Sequence, residues 1–200
     1  SYSDKWWDDR LMAPGSLLYY IGTNKKLKNI PHHALFFDVP FDAHAKEIYV
    51  TEQWPSSPLF YMSVSSKTDA HVAPDGGESI VFLIPVAAGL EGDTDELRKK
   101  YLDIILKRFT ELTGEDITEN IVYCKTYAHR DFISDYNAFK GNAYGLANTL
   151  MQTAILKPSC KSRKLENLFY TGQLTVPGPG VPPSLISGEV VAGQVISDFE

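Results

Sequence analysis

The run Pro177-Gly178-Pro179-Gly180 limits what this chain can fold into more than any other stretch. Proline lacks the N–H that both regular elements need and glycine takes positive φ freely, so neither helix nor strand runs through these four residues. Before them, Leu168-Phe169-Tyr170-Thr171 is an apolar, aromatic and β-branched run of strand type, ended by Gly172. After them, from Val181, the chain reads as a helix with Pro182 and Pro183 in its first turn, where a missing donor costs little. The order is strand, Gly/Pro turn, helix start. Such a start points unbonded N–H groups and the positive end of the helix dipole out of the turn, toward the electron-rich edge of a phosphate or a flavin ring. Within the helix, Ser184, Gly188 and Ala192 recur at four-residue spacing as a narrow face, and Leu185, Ile186, Val190, Val191, Val195 and Ile196 are expected to be buried. A Gly/Pro turn before an ordinary core helix is the plainer reading of the same residues. A dinucleotide-binding turn fits less well, because Pro183 stands where its third glycine belongs.

Upstream, apolar and aromatic runs at 16–21, 32–37, 59–64, 80–84 and 121–127 predict strands, separated by turn-forming residues. Leu97, Tyr101, Ile104, Ile105, Phe109 and Leu112 recur at helical spacing, so an amphipathic helix is expected near 94–113, with Asp93 and Glu96 as a capping box and Gly114 as its stop. A short helix is expected at 42–49, capped by Asp42. His129-Arg130-Asp131 reads as a helix start, with Asp131 capping and Arg130 in a surface pair, because consecutive residues there diverge too far to share acid–base work. His32 and His33, on a strand, are expected on opposite faces, and no metal site is assigned. Leu150, Met151 and Ala154 are expected to make apolar contacts ahead of Pro158. The fold class is α+β, an antiparallel or mixed sheet with helices packed on one side.

Two hundred residues suffice for one core, since a chain of that size buries about 70% of its unfolded surface. A net charge of −6 argues against nucleic acid, whose phosphates demand a basic face. Cys124 and Cys160 match no metal or redox spacing and read as free thiols. No apolar run is long enough to span a bilayer, and the start has no signal-peptide layout. Beginning at Ser1, the chain is expected to be processed or shortened.

Residues 167–182, NLFYTGQLTVPGPGVP, resemble the C-terminal flavin motif of bacterial phytoene desaturases, the FAD-dependent carotenoid desaturase family. The strand end Tyr20-Ile21-Gly22, HHALFFD at 32–38 and TDAHVAPDGGESIVFLIPV at 68–86 resemble that family's substrate domain, and Asp131-Phe132, Asn137-Ala138-Phe139 and Gly141 to Gly145 its region ahead of the flavin motif. The resemblance implies a substrate-binding portion at 1–165 and, at 166–200, the strand and helix that complete an FAD-binding domain. It implies backbone flavin contacts around Gly172, Gln173, Gly180, Val181 and Ser184, and a substrate wall at Phe139, Asn142 and Tyr144.

The implied activity is introduction of C=C bonds into a long polyene, with FAD as hydride acceptor. A related flavoprotein, such as a carotenoid isomerase, a retinol saturase-like reductase or an amine oxidase relative, is the alternative, and a non-catalytic lipid-binding α+β module is another. No catalytic side chain is nominated: Val176 stands where the family often has a histidine. The G-x-G-x-x-G turn that holds the ADP half of FAD has no counterpart here, so this chain alone is expected to bind FAD weakly or not at all and to be inactive. The parent is expected in the cytoplasm, peripheral on the inner face of the membrane, with a carotenoid or other polyene as partner, and the isolated chain is expected to dimerise through surface left uncovered.

Overall fold

The structure, a computed structural model, describes residues 2–200. In chain order the elements are α1 (Asp4–Asp8), β1 (Gly15–Thr23), β2 (His33–Phe36), α2 (Phe41–Tyr49), β3 (Phe60–Val64), β4 (Glu78–Val86), α3 (Asp95–Thr113), β5 (Ile121–Tyr127), α4 (His129–Tyr136) and α5 (Val181–Phe199). They fall into two compact units: Gly15–Gly141, and the residues up to Pro14 together with Asn142–Glu200. Within the second of these units the chain's start pairs with residues 145–147. Met12 bridges Leu146, the Ala13 N–H donates to the Gly145 carbonyl at 2.8 Å, and the Ala147 N–H donates to the Leu11 carbonyl at 3.0 Å.

In the Gly15–Gly141 unit the sheet is antiparallel throughout, in the order β2-β3-β4-β1-β5. Alternation sets the faces: Leu17, Tyr19 and Ile21 on β1, Phe60, Met62 and Val64 on β3, and Ile80, Phe82, Ile84 and Val86 on β4 are all buried. Tyr101, Ile105 and Phe109 of α3 complete that core, with the Phe109 ring 5.6 Å from Phe82 and edge-on to it. On the other face Leu18, Tyr61, Val81 and Leu83 are half-buried and Tyr20 is exposed. At one end of that face a hollow of about 310 Å³ is lined by Tyr20, Gly22, Val72, Pro74, Val81 and Tyr123.

Several local expectations change for tertiary reasons. The α3 cap is Thr94, whose side chain accepts the Leu97 N–H, while Asp93 is drawn away to pair with buried Arg98 at 2.6 Å. At the other end of α3 Gly114 is left-handed, φ +74°, as a helix stop requires. Helix α2 starts after Pro40, and Asp42 sits in its first turn without capping it. Its buried residues are His44 and Glu47. The Leu59 N–H donates to His44 Nδ1 at 3.0 Å, which puts the ring proton on Nε2, 2.8 Å from the Pro85 carbonyl. Ahead of β2, His32 lies outside the ladder, so its ring stacks on His33 at 4.0 Å instead of pointing to the opposite face.

The second unit has little regular structure apart from α1 and α5. Gln152 braces it, accepting the Leu11 N–H on Oε1 at 3.0 Å and donating from Nε2 to the Leu11 carbonyl at 2.8 Å. Ser3 caps α1, and Arg10 lies over the Trp6 ring at 4.6 Å. Leu150 and Met151 are exposed instead of packed, because 150–152 and 154–156 form single 3-10 turns with no repeating apolar side. Among the described residues no helix is long and apolar enough to cross a membrane.

Candidate functional site

The Gly/Pro turn and the start of α5 form the candidate site, and a buried serine joins them. Tyr170 N–H donates to the Cys160 carbonyl at 2.7 Å and Phe169 bridges Lys161, so the predicted strand at 168–171 is reduced to a bridge with no further strand to extend it. The chain then turns at Gly172, whose carbonyl accepts both the N–H and the hydroxyl of Thr175, at 3.1 and 2.9 Å. Ser187, fully buried nearly two turns into α5, accepts the Gly172 N–H on its Oγ at 2.8 Å, shares a 2.7 Å hydrogen bond with the Thr171 hydroxyl and donates to the Ser184 carbonyl at 2.7 Å. One hydroxyl thus locks the turn's entry to the helix. Sequence reasoning missed Ser187; the signal was its place beside Ser184 and Gly188 on the small-residue side of the helix.

The helix start offers fewer donors than a proline-free one. Pro182 and Pro183 have no N–H, and the Ser184 N–H bonds the Gly180 carbonyl at 3.0 Å, so Val181 alone presents an N–H from the first turn. No protein acceptor among the described residues takes the N–H of Gly178, Gly180 or Val181, whereas those of Gly172 and Val176 are engaged, by Ser187 and by the Pro158 carbonyl. The apolar side chains of α5 are not buried as periodicity suggested. Leu185 is 71% exposed, Ile186, Val190 and Ile196 are exposed too, and Ser187 is the helix's buried residue, because this unit supplies no apolar surface to cover the helix.

Lys157 is the second residue that sequence reasoning missed. Only 4% of it is exposed, and its Nζ has no hydrogen-bond partner among the described residues. Its side chain lies across Gly178: a Cβ built on that glycine would sit 2.9 Å from Lys157 Cε and 3.6 Å from Nζ. Gly178 also has φ +134°, which favours glycine there wherever the lysine lies. Burial with no acceptor to offset it pushes the Lys157 ammonium below the usual lysine range. No local pattern marks a lysine followed by proline as buried, so nothing in the sequence flagged it.

Of the substrate-wall candidates, Asn142 is buried and accepts the Gly145 N–H on Oδ1 at 2.6 Å, and Tyr144 is 41% exposed in the same turn. That turn abuts the Gly/Pro turn, since a Cβ on Gly145 would lie 3.1 Å from the Gln173 carbonyl oxygen. Phe139 belongs to the Gly15–Gly141 unit, under the Lys140 ammonium at 5.3 Å. His129 serves structure: its Nε2 meets the Ala87 carbonyl at 2.7 Å, Trp54 packs edge-on to its ring, and burial holds its pKa low. Arg130 pairs with Asp95, and Asp131 accepts the Ala128 N–H at 2.8 Å, as a helix start requires. Cys124 and Cys160 are free thiols.

No family model matches the chain. Among curated proteins it is 43% identical, over 198 residues, to a carotenoid 3,4-desaturase of Haloarcula japonica, a match that covers 99% of this chain and 40% of that protein. It is 29% identical over 206 residues to a 4,4'-diapophytoene desaturase of Staphylococcus haemolyticus, covering 100% of the chain and 41% of the relative. A phytoene desaturase of Fusarium fujikuroi is 26% identical over 222 residues, covering 99% and 38%. The chain spans about two fifths of the length of these curated relatives. Over nearly all of its own length, this chain belongs to the carotenoid desaturase family.

Proposed function

We propose that this chain is part of a longer FAD-dependent carotenoid desaturase, an oxidoreductase that introduces C=C bonds into a long polyene precursor. The observation that carries the reading is the 198-residue match to a carotenoid 3,4-desaturase, which runs across both units. The chemistry of the turn fits the cofactor. Among the described residues buried Lys157 Nζ has no hydrogen-bond partner, and the turn beside it carries N–H groups with no protein acceptor. Such a donor set suits an electron-rich ring edge.

Bound FAD would supply the electron acceptor for removal of two hydrogens across a saturated C–C bond. The residues of this chain bind and orient. Gln173, Gly180 and Val181 hold the ring edge through backbone N–H groups, while Gly172 and Ser184, tied through Ser187, fix the shape of the turn. The positive end of α5 favours negative charge there. Asn142 and Tyr144, whose turn abuts Gln173, are the residues of this unit proposed to meet the polyene. The half-exposed apolar face of the sheet, with its hollow, is proposed as a wall for the polyene. The exposed apolar side chains of α5 are covered by the rest of the parent, or by a second copy when this chain stands alone. Peripheral contact with a membrane belongs to the proposal too, at exposed Leu35, Phe37, Phe41 and Val50.

The test is to express the full-length protein that carries this chain, record its spectrum and supply a partly saturated carotenoid. A yellow protein with bound FAD that shifts the carotenoid's absorption to the red, as conjugation lengthens, is the expected result. A colourless protein that takes up no FAD would overturn the reading in favour of a lipid-binding module.

A further inference from the structure

A buried ammonium with no acceptor is a costly arrangement, because neither solvent nor a counter-charge offsets its lost hydration. Lys157 is in that position, and its surroundings are specific. The stretch that follows it is pinned to the flavin-motif turn: the Pro158 carbonyl accepts the Val176 N–H at 3.2 Å, and the Cys160 thiol meets the Val176 carbonyl at 3.6 Å. The absence of a side chain at Gly178 is what lets the lysine lie so close. Three residues further on begins a helix of 19 residues whose first N–H has no protein acceptor among the described residues. Ammonium, free amides and helix start thus carry the same sign of charge along one short turn.

We propose that Lys157 is a positioning and charge-balancing residue for the ring bound at this turn, with its ammonium stabilising negative charge on the ring's pyrimidine edge together with the start of α5. The proposal rests on the flavin reading above and adds a side chain to a site otherwise built from backbone. It also accounts for Gly178 independently of the turn, since any larger residue there would displace the ammonium. A ligand acceptor would restore the proton affinity that burial takes from the lysine.

The experiment uses the full-length protein loaded with FAD and reads the two-electron midpoint potential of the flavin rather than turnover. Lys157→Met keeps the length and apolar stem but removes the charge, and it should weaken the preference for the reduced over the oxidised ring about tenfold, seen as a more negative potential. Lys157→Arg should restore most of that preference. Gly178→Ala, with the lysine present but displaced, should shift the potential in the same direction as Lys157→Met. Urea unfolding of Lys157→Met without FAD should show stability no lower than wild type, because an unpartnered buried charge has been removed. If FAD binds and the potential is the same in wild type, Lys157→Met and Gly178→Ala, the role of Lys157 is overturned and the flavin reading stands. If wild-type protein takes up no FAD, the flavin reading falls and this inference falls with it.

Discussion

Helices α3 and α5 are each 19 residues long, and they answer to opposite demands. In α3 the charged residues other than buried Arg98 and half-buried Arg108 face solvent while Tyr101, Ile105 and Phe109 press on the sheet, a side-chain cap closes the start, and a left-handed glycine closes the end. In α5 the polarity is inverted. Its buried residue is Ser187, its exposed residues include Leu185, Ile186, Val190 and Ile196, and no side chain caps its start. The first helix is complete within its own unit. The second is apolar on nearly every side and lacks a covering surface in this chain, as expected of a helix made for a larger core and a ligand at its N-terminus.

The contrast can be broken most sharply at Phe109. Phe109→Ala opens a cavity between α3 and the rings of Phe82 and Phe36, and it should cost about 3–5 kcal/mol in urea unfolding. A loss below about 1 kcal/mol would deny α3 its role as the lid of the core. Nearly as large should be the loss in Arg98→Met. Arg98 is 2% exposed and holds both Asp93 and Asp131, so its removal leaves two carboxylates without their cation, at about 3 kcal/mol.

The same charges make the Gly15–Gly141 unit acid-labile. For Asp93, burial raises the pKa, but hydrogen bonds from Arg98 and the Arg130 N–H outweigh it and hold the carboxyl below its ordinary 3.8. For Glu78, burial is likewise outweighed, by Lys67, Ser66 and the Leu27 N–H, leaving it below 4.5. Carboxylates held low in the folded state give stability that is present above the unfolded values and lost as pH falls through the folded ones, so unfolding of this unit should ease below about pH 4. Lys157 works the other way. Its folded pKa lies below 10.5, so its protonation opposes folding, and the second unit of the isolated chain should gain stability as pH climbs toward that value. Amide exchange resolved by unit checks both signs.

Smaller effects sharpen the account of α5. Ser187→Ala strips the Gly172 N–H and the Thr171 hydroxyl of a partner, which should cost about 1–2 kcal/mol and speed amide exchange at 171–175 while leaving α3 untouched. Leu185→Ala should cost less than about 0.5 kcal/mol in the isolated chain, because the side chain is already in solvent. In the full-length protein the same substitution should cost several times more, and equal cost in both would mean that nothing covers that face.

How far the sequence spoke follows from the same two helices. The apolar runs at 59–64 and 80–84 and the 3.6-residue period of 97–109 located the sheet and the helix on it, since neighbouring strands and helix supply each other the surface that buries them. Period alone cannot say whether a cover exists, and so Leu185 and Val190 were misplaced. Asp93 looked like a cap because caps are local, but a buried arginine five residues on claimed it. The Gly/Pro turn was legible because proline and glycine state their backbone needs directly. Lys157 and Ser187 were not, since their roles depend on residues 21 and 15 positions away that sequence spacing does not bring together.

Hydrogen exchange at the amides of Gly178, Gly180 and Val181, in the full-length protein with and without FAD, tests most directly whether this turn is a ligand site. With no protein acceptor these amides should exchange freely in the unloaded protein and slow by at least about tenfold when FAD is bound, while those of α3 stay unchanged. Equal exchange at all three positions with and without bound FAD would contradict the account.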